Sequence, residues 1–388
     1  MSALVDMSER TNVPEEPGRI RVVLCTDGVF PEALGGMQRH SRLLAEHLAR
    51  TGRVELTVLH PHAGRLFDPG LGINEVRISA IDTERFYLAE LWRYSQRVAS
   101  VLRSMKADVI LSQGFCVWSG IGQFGDRLII HPHGLEMFQA IGLKERLITM
   151  PFRWVLRYMV RRSRFTISLG GRLTNILENL AAGSGSTVVN IPNAVEVPVP
   201  QVPYRPGGTP LRLLFVGRFA YNKGLDILMA VAQRLVENGQ GEAVRFELAG
   251  DGPLLAHYKA AGLPGNVALL GRVDDDRLFQ LYTECDALVL PTRFEGMPTV
   301  VLEAMARSRP IIVSDVGATA ELVDAQNGAL VPKGDAGALH AAIMDFLAMG
   351  REQRERLGNT SWERAQRRFD WQAVTTEFVS LFQRVQGR

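Results

Sequence analysis

RLLFVGRFAYNKGLDIL, residues 212–228, joins an apolar run to a helical pattern through a short turn. The apolar run Leu213–Val216 predicts a strand that is buried on both faces, as in a parallel sheet. Lys223 and Gly224 begin the helical pattern that follows the turn. A strand that leads through a turn into a helix is the repeating unit of a doubly wound α/β domain.

The same alternation of strands and helices occurs on both sides of a proline-rich segment. Residues 195–210 contain five prolines and two glycines without a periodic pattern, which predicts a linker between two domains of the same class. The predicted strands are 19–29, 54–60, 108–114, 127–134, 164–170 and 186–193 before the linker, and 212–219, 244–252, 266–273, 286–293, 310–317 and 328–332 after it.

These patterns set the expected domain boundaries. We expect a flexible N-terminus at 1–18, an N-terminal Rossmann-like domain at 19–200 and a C-terminal Rossmann-like domain at 201–370. A last helix at 371–388 is expected to pack back onto the first domain. Two such domains leave a central cleft between them, and ligands of doubly wound sheets bind at the carboxyl ends of the strands.

The composition is that of an ordinary globular protein, with 46% hydrophobic and 22% charged residues among 388. The net charge of +3 is too small to indicate a nucleic-acid partner. Cys25, Cys116 and Cys285 are too scattered for a disulfide framework, so we expect reduced thiols. No apolar stretch reaches the roughly 18 residues of a membrane span, and 1–18 lacks the apolar core of a signal peptide. We therefore expect a cytoplasmic protein, soluble or peripheral at the inner face of the plasma membrane.

Glycines and histidines follow two of the predicted strands in the first domain. Gly35 and Gly36 lie between a strand and a helix, where glycine lets the backbone approach a ligand, although a tight turn alone would also use them. In HPHG, 131–134, His131 and His133 alternate on a strand, so we expect their rings on opposite faces and no metal between them. His133 is expected to form a hydrogen bond to a ligand or to act in catalysis.

Two cations follow the first strand of the second domain. Arg218 and Lys223 lie five positions apart around a helix N-terminus, which suits a diphosphate, since the cations and the backbone N–H groups both offset its charge. The alternative is a solvated lysine and an arginine bonded to a carbonyl. Asp274–Asp276 has the D-x-D form of metal-using sugar transferases, but the run also begins a helix, where acids complement the helix dipole. We favour capping and predict no metal site.

The segment RFEGMPTVVLEAMARSRP, 293–310, holds two carboxylates eight positions apart. Pro298 fits the first turn of a helix. Glu295 then lies in the loop before that turn, and Glu303 lies one turn beyond Thr299 on the same face. Carboxylates are good partners for vicinal sugar hydroxyls, so the pair predicts a sugar site. A capping acid combined with a core ion pair is the alternative.

The helical segment 144–165 carries seven Lys or Arg against one Glu. Arg153, Arg157 and Arg161 repeat every four residues and form one basic stripe. We expect either contact with an anionic membrane or a lipid-linked acceptor, or an ordinary domain helix with a solvated basic face.

Six of these segments together resemble a known family. GRFAYNKGLDIL, LAGDGP and FEGMPTVVLEAMA, with GGMQRH, HPHG and IPNAV before the linker, resemble the retaining nucleotide-sugar glycosyltransferases of family 4 over roughly 20–388. The resemblance implies an α/β GT-B fold, with the acceptor mostly on the first domain and the donor mostly on the second. It implies transfer of a hexose-type sugar from a UDP- or GDP-sugar to a hydroxyl acceptor, in glycan, polysaccharide or glycolipid synthesis, with no cofactor and no metal.

The resemblance also implies a role for each residue that matches the family's motifs. Arg218 and Lys223 would contact the donor diphosphate, Glu295 the sugar hydroxyls and Glu303 the ribose. His133 would bond the sugar near the anomeric carbon. Further donor contacts would come from Gly35, Gly36, Val273, Gly296, Met297, Pro298, Thr299 and Val300. The family's usual mechanism is attack on the face that the diphosphate leaves, with the leaving phosphate accepting the acceptor's proton.

Two positions depart from the family pattern, and other functions remain open. Ala194 stands where a glycine often precedes the linker, and Ala318 stands where a second glycine often follows Gly317. A sugar-nucleotide epimerase or a phosphorylase would share the fold, but neither the acid and base pair of the first nor a pyridoxal-phosphate lysine of the second is evident. A donor-binding subunit without activity would be expected to lose at least one of the matched residues.

Overall fold

The protein forms two parallel sheets, seen in a computed structural model that describes residues 18–82, 86–138, 143–204 and 208–387. The predicted flexible N-terminus lies outside this range except for residue 18. The first sheet has the order β3-β2-β1-β4-β5-β6-β7. Its strands are β1 Ile20–Cys25, β2 Val54–His60, β3 Asn74–Arg77, β4 Val109–Gln113, β5 Leu128–His131, β6 Phe165–Ser168 and β7 Thr187–Asn190.

The second sheet repeats this arrangement with the order β10-β9-β8-β11-β12-β13. Every paired strand in both sheets is parallel. The strands are β8 Leu211–Val216, β9 Val244–Ala249, β10 Val267–Gly271, β11 Ala287–Leu290, β12 Ile311–Ser314 and β13 Gly328–Val331. The strand order reverses beside β1 and beside β8, so the loops that follow β1, β4, β8 and β11 are placed to form ligand sites.

Helices cover the sheets and connect the strands. They are α1 Gly36–Arg50, α2 Tyr87–Ser104, α3 Leu143–Val160, α4 Arg172–Ala181, α5 Leu225–Glu237, α6 Leu255–Ala261, α7 Asp275–Glu284, α8 Thr299–Met305, α9 Thr319–Leu322, α10 Ala336–Ala348, α11 Arg351–Arg364 and α12 Trp371–Val385. Within the described ranges, no helix has both the length and the apolar character that crossing a bilayer requires. The prediction of two doubly wound domains is confirmed.

The apolar runs become strands because both of their faces are covered. Val22 and Leu24 pack into one buried cluster of the first domain, whereas Val23 and Cys25 pack into the cluster on the other face. All three cysteines are free and buried, and burial raises the pKa of Cys285 to about 12. They are therefore small core side chains rather than nucleophiles.

The last helix returns to the first domain. Trp371, Val374 and Phe378 of α12 share a buried cluster with Leu44 of α1 and with strand residues of the first sheet. The chain therefore passes between the domains twice, once outward in the linker and once back before α12. The two passages are joined, since the Val195 amide donates to the Phe369 carbonyl at 2.8 Å and Val195 forms a bridge with Asp370.

Candidate active site

Lys223 and Glu295 form an ion pair in the second domain. The Lys223 Nζ lies 2.5 Å from Glu295 Oε1, and both side chains are largely buried. Lys223 follows β8 and Glu295 follows β11, which are neighbouring strands, so the fold brings together residues that are far apart in the chain. Gly224 permits the close packing of the loop after β8 against the loop after β11. It has φ 71°, and a Cβ there would lie 1.9 Å from the Pro291 carbonyl oxygen.

Arg218 lies on an open groove beside this pair. The groove has a volume of about 550 Å³ and is lined by Arg218, Val273, Leu34, Leu278 and the glycines that follow β8 and β9. The Arg218 side chain is exposed, and its guanidinium has no hydrogen bond or ion pair within the described parts of the chain. A cation without a protein partner on a groove next to Lys223 fits a phosphate ligand.

Glu303 lines a separate cavity of about 390 Å³. Its carboxylate accepts a hydrogen bond from the Tyr282 hydroxyl at 2.8 Å and lies 3.9 Å from the Arg39 guanidinium. Gly36 and Thr299 also line this cavity, whereas Arg218 and Val273 do not. The structure therefore places the residues that were predicted for one donor in two adjacent cavities.

Arg39 connects the domains between α1 and α7. Its guanidinium donates two hydrogen bonds to the Asp275 carboxylate, at 2.6 and 2.7 Å. Asp274 is the N-cap of α7, and its side chain accepts from the Arg277 amide at 2.8 Å. The predicted capping is observed for Asp274, while its neighbour Asp275 bonds across the cleft. Sequence reasoning missed Arg39, because its partner lies 236 positions away.

The expectation that His131 and His133 face opposite ways is wrong. Strand β5 ends at His131, and His133 has φ 60°, a left-handed conformation that turns its ring back. The two rings stack with centroids 3.8 Å apart. His40 of α1 lies 5.2 Å from the His131 ring and 5.0 Å from the His133 ring. A strand pattern assumes extended backbone, so it gave the wrong direction for His133.

His133 is neutral at neutral pH and lies at the junction of the domains. Burial lowers its pKa well below the ordinary value, and the neighbouring imidazoles lower it further. Its Nε2 forms a hydrogen bond with the Gln113 side-chain oxygen. A Cβ on Gly296 would lie 3.4 Å from the His133 carbonyl oxygen and from the Gly134 Cα. The loop with Glu295 therefore contacts the loop with His133.

The helix start near Glu295 differs in detail from the prediction. Pro298 is the N-cap of α8, and the first helical residue is Thr299, not Pro298. Met297 is buried, and its carbonyl accepts from the Asn193 side chain at 2.8 Å. Thr299 and Val300 remain partly exposed. Met297 thus anchors the loop to the linker region and offers a ligand little surface of its own.

The two departures from the family pattern are accommodated without strain. Ala194 has no positive φ, so it does not need glycine. Ala318 is buried and donates its amide to the Gly296 carbonyl at 2.9 Å. Gly317 is the constrained member of its pair, since it has φ 57° and a Cβ there would lie 2.2 Å from the Glu295 carbonyl oxygen.

Comparisons with known proteins agree with this architecture. A model of the family described as Glycosyltransferase Family 4 matches residues 34–198, and one described as Glycosyl transferases group 1 matches 210–349. Glycogen synthase of Mycobacterium tuberculosis is 23% identical over 398 residues, covering 94% of each chain. Sucrose-phosphate synthase from Thermosynechococcus elongatus has a TM-score of 0.78 at 21% identity, covering 95% of this chain and 100% of its own.

The chain is a GT-B glycosyltransferase of the family 4 type. A further solved structure, Anabaena HepE in complex with UDP-glucose, has a TM-score of 0.67 at 16% identity, covering 94% of this chain and 100% of its own. The resemblance seen in the sequence motifs and the GT-B fold class are both confirmed.

An acidic residue that sequence reasoning missed lies near the ion pair of this glycosyltransferase. Partial desolvation raises the pKa of Glu136, and the charge of Glu295 raises it further, whereas Lys223 opposes the shift. Glu136 lies two residues after HPHG in the sequence, so its position near that motif was the available signal.

The basic stripe of the glycosyltransferase, Arg153 and Arg157 on α3 and Arg161 just after it, is only partly solvated. The Arg153 guanidinium donates to the Met137 carbonyl at 2.7 Å and stacks on Phe138, and Arg161 donates to the Ala182 carbonyl. Arg157 is exposed. The helix also exposes large apolar side chains, with Leu147 at 66% and Trp154 at 69%. The outer face of α3 is therefore more apolar than the spacing of the arginines predicted.

Proposed function

We propose that this enzyme transfers a hexose-type sugar from a UDP- or GDP-sugar to a hydroxyl acceptor, with retention of anomeric configuration and without a metal ion. The observation that carries the proposal is the Lys223–Glu295 ion pair, which lies against the loop of His133 and beside the groove of Arg218. A diphosphate needs cations, and a sugar needs hydrogen-bond acceptors. The pair supplies one of each at the same point.

Donor binding would exchange the partners of this pair. The donor diphosphate would take Lys223 and Arg218, and Glu295 would then accept hydrogen bonds from sugar hydroxyls. Two cations at the diphosphate stabilise the negative charge that develops on it as the glycosidic bond breaks, which is the task of a metal ion in other transferases. Neutral His133 can form a hydrogen bond with the sugar without repelling positive charge near the anomeric carbon.

The nucleotide and the acceptor are proposed from chemistry and from relatives. The Anabaena structure holds UDP-glucose, which supports a uridine donor, and the name of the mycobacterial relative supports a glycan acceptor. We propose a sugar or a lipid-linked glycan as the acceptor, with peripheral binding to the inner face of an anionic membrane. Exposed Trp154 and Leu147 would insert among lipid headgroups, and Arg157 would pair with phosphate.

A thermal-shift screen in EDTA tests the donor. Purified protein is mixed with UDP, GDP, ADP and dTDP and with their common sugar conjugates. A ligand at a hundred times its Kd stabilises the folded state by about 2.7 kcal/mol, so the correct nucleotide raises the Tm clearly. NMR of the product then gives its anomeric configuration. No rise in Tm with any nucleotide, or an inverted product, would contradict the proposal.

Sedimentation with anionic vesicles tests the membrane contact. We expect Trp154→Ala and Arg157→Ala each to lower the bound fraction several-fold, since both side chains are exposed on α3. Trp92→Ala provides a matched control, because this tryptophan is also exposed but belongs to α2. Equal binding by all variants would remove the membrane from the proposal and leave the donor chemistry intact.

A further inference from the structure

Three imidazoles from two distant parts of the chain meet inside the first domain. His131 ends β5, His133 follows it in a left-handed conformation, and His40 comes from α1. Each offers one ring nitrogen, and these three nitrogens lie within 4.8 Å of one another. Among the described residues, this is the only group of three or more histidines, cysteines or acids that meets so closely.

The cluster contains buried polar atoms without partners. His131 is fully buried and His40 is 3% exposed. Both ring nitrogens of His131 and the Nε2 of His40 have no hydrogen-bond partner within the described ranges. The neighbours that pack on His40 include the rings of Trp371 and Phe378. Leaving a buried nitrogen unpaired costs about 1–3 kcal/mol, so a polar species is expected between these rings.

We propose that His40, His131 and His133 form a binding site for a zinc-class divalent cation, with a fourth position open to the 390 Å³ cavity that His40 lines. Three imidazoles and one open position are a ligand set that zinc uses in proteins. Nitrogens around tetrahedral zinc lie about 3.3 Å apart for bonds of about 2.05 Å. The three nitrogens, now within 4.8 Å of one another, must therefore move closer, and the stacked rings of His131 and His133 must rotate so that both face the cation. Magnesium and calcium prefer oxygen ligands and do not fit.

The surroundings suit such a cation in two respects. Burial keeps the three imidazoles neutral at neutral pH, so a cation displaces no protons from them. The Gln113 side chain bonds His133 and fixes the direction of its ring. No carboxylate belongs to the cluster, so water at the open position must help to solvate the charge. We therefore expect weaker binding than at a structural zinc site.

Occupancy would oppose sugar transfer. This consequence rests on the proposed function, in which His133 bonds the donor sugar. A cation on the His133 ring occupies the nitrogen lone pair and places a positive charge near the anomeric carbon, where positive charge also develops in the transition state. Zinc would then be a reversible inhibitor that EDTA removes, although transfer itself needs no metal.

Cobalt titration of the full chain tests the site without donor or acceptor. Protein without a polyhistidine tag is treated with EDTA, exchanged into buffer and titrated with Co²⁺, whose visible absorption is strong when it is four-coordinate. We expect one equivalent, displaced by Zn²⁺. His40→Gln and His131→Gln should each weaken binding at least about tenfold. His257→Gln, at an exposed histidine on α6, should bind like the wild type.

The outcomes separate the site from the enzyme mechanism. No four-coordinate cobalt spectrum, or one that survives both cluster substitutions, would overturn the site. If the buried variants do not fold, X-ray absorption of the zinc-loaded wild type decides instead, since it must show three imidazole ligands. If zinc binds at the cluster and sugar transfer is unchanged, inhibition through His133 is wrong. If the cluster binds zinc but the metal-free enzyme in EDTA shows no sugar transfer, only the proposed function is contradicted.

Discussion

Acid should destabilise this protein through His40. Burial lowers the pKa of His40 to about 4 in the folded protein, against about 6.5 in an unfolded chain. The unfolded state therefore binds more protons between these values, and the free energy of unfolding falls as the pH drops from about 6.5 towards 4. At pH 5 the loss from this one imidazole is about 2 kcal/mol, and it is absent above pH 7.

The rings around His40 reinforce the effect. Burial also lowers the pKa values of His131 and His133 well below the ordinary value, so both add in the same direction. Trp371 and Phe378, the other rings that pack on His40, do not titrate. Carboxylates elsewhere change stability in acid as well, so a single-site comparison is needed to isolate the imidazole.

Urea unfolding between pH 7.5 and 5, in EDTA, measures the effect. The wild type should lose about 2 kcal/mol more than His40→Gln over this range, because glutamine does not titrate. His257→Gln, at an exposed site, should follow the wild type. Parallel curves for the wild type and His40→Gln would refute the reasoning, since they would mean that His40 is protonated as readily in the folded state as in the unfolded one.

Three substitutions test the site and its scaffold. Glu295→Gln should lower the rate of sugar transfer by roughly 10–100-fold, because the donor sugar loses a charged hydrogen-bond acceptor. The free energy of unfolding, measured in urea, should fall by about 1 kcal/mol or less. Equal losses of activity and stability would contradict a role in donor binding. Asp275→Asn removes the ion pair with Arg39, which is partly exposed and contributes about 1 kcal/mol or less to stability. The free energy of unfolding should therefore stay nearly unchanged, while small-angle scattering should show a more open average cleft. An unchanged radius of gyration would contradict this. Gly224→Ala should lower the free energy of unfolding in urea by about 2–4 kcal/mol, because its Cβ would overlap a carbonyl oxygen. Gly72 has a similar φ but no atom within 4 Å of its Cβ position, so Gly72→Ala should lower it by about 1 kcal/mol. Equal losses in the two variants would refute the steric argument.

The strands were predictable because burial on both faces requires a continuous run of apolar residues, which is visible in the local sequence. Leu213–Val216 and the other apolar runs need no knowledge of their partners to be recognised as strands. β3, Asn74–Arg77, was missed, since it is an edge strand with no fully buried side chain and no apolar run. The extended conformation of β3 is stabilised by pairing with β2, and the local sequence does not indicate that pairing.

The site was predictable where it depends on neighbouring strand ends and not where it depends on backbone turns or domain contacts. Lys223 and Glu295 were each placed after a predicted strand, and they meet because the sheet puts β8 next to β11, as the doubly wound strand order does. The cluster around His133 depends on a left-handed residue that sequence periodicity cannot show. The bond between Arg39 and Asp275 depends on how two domains are placed, and no spacing within either domain encodes that.

The return of the chain to the first domain has a consequence for synthesis on the ribosome. Trp371, Val374 and Phe378 complete a core that includes Leu44, which emerges more than 300 residues earlier. The second domain has its whole sheet, β8 to β13, available before these residues are made. It can therefore fold first, although it is encoded later. Until α12 has been made, the apolar surface of the first domain that it covers stays exposed and can bind chaperones.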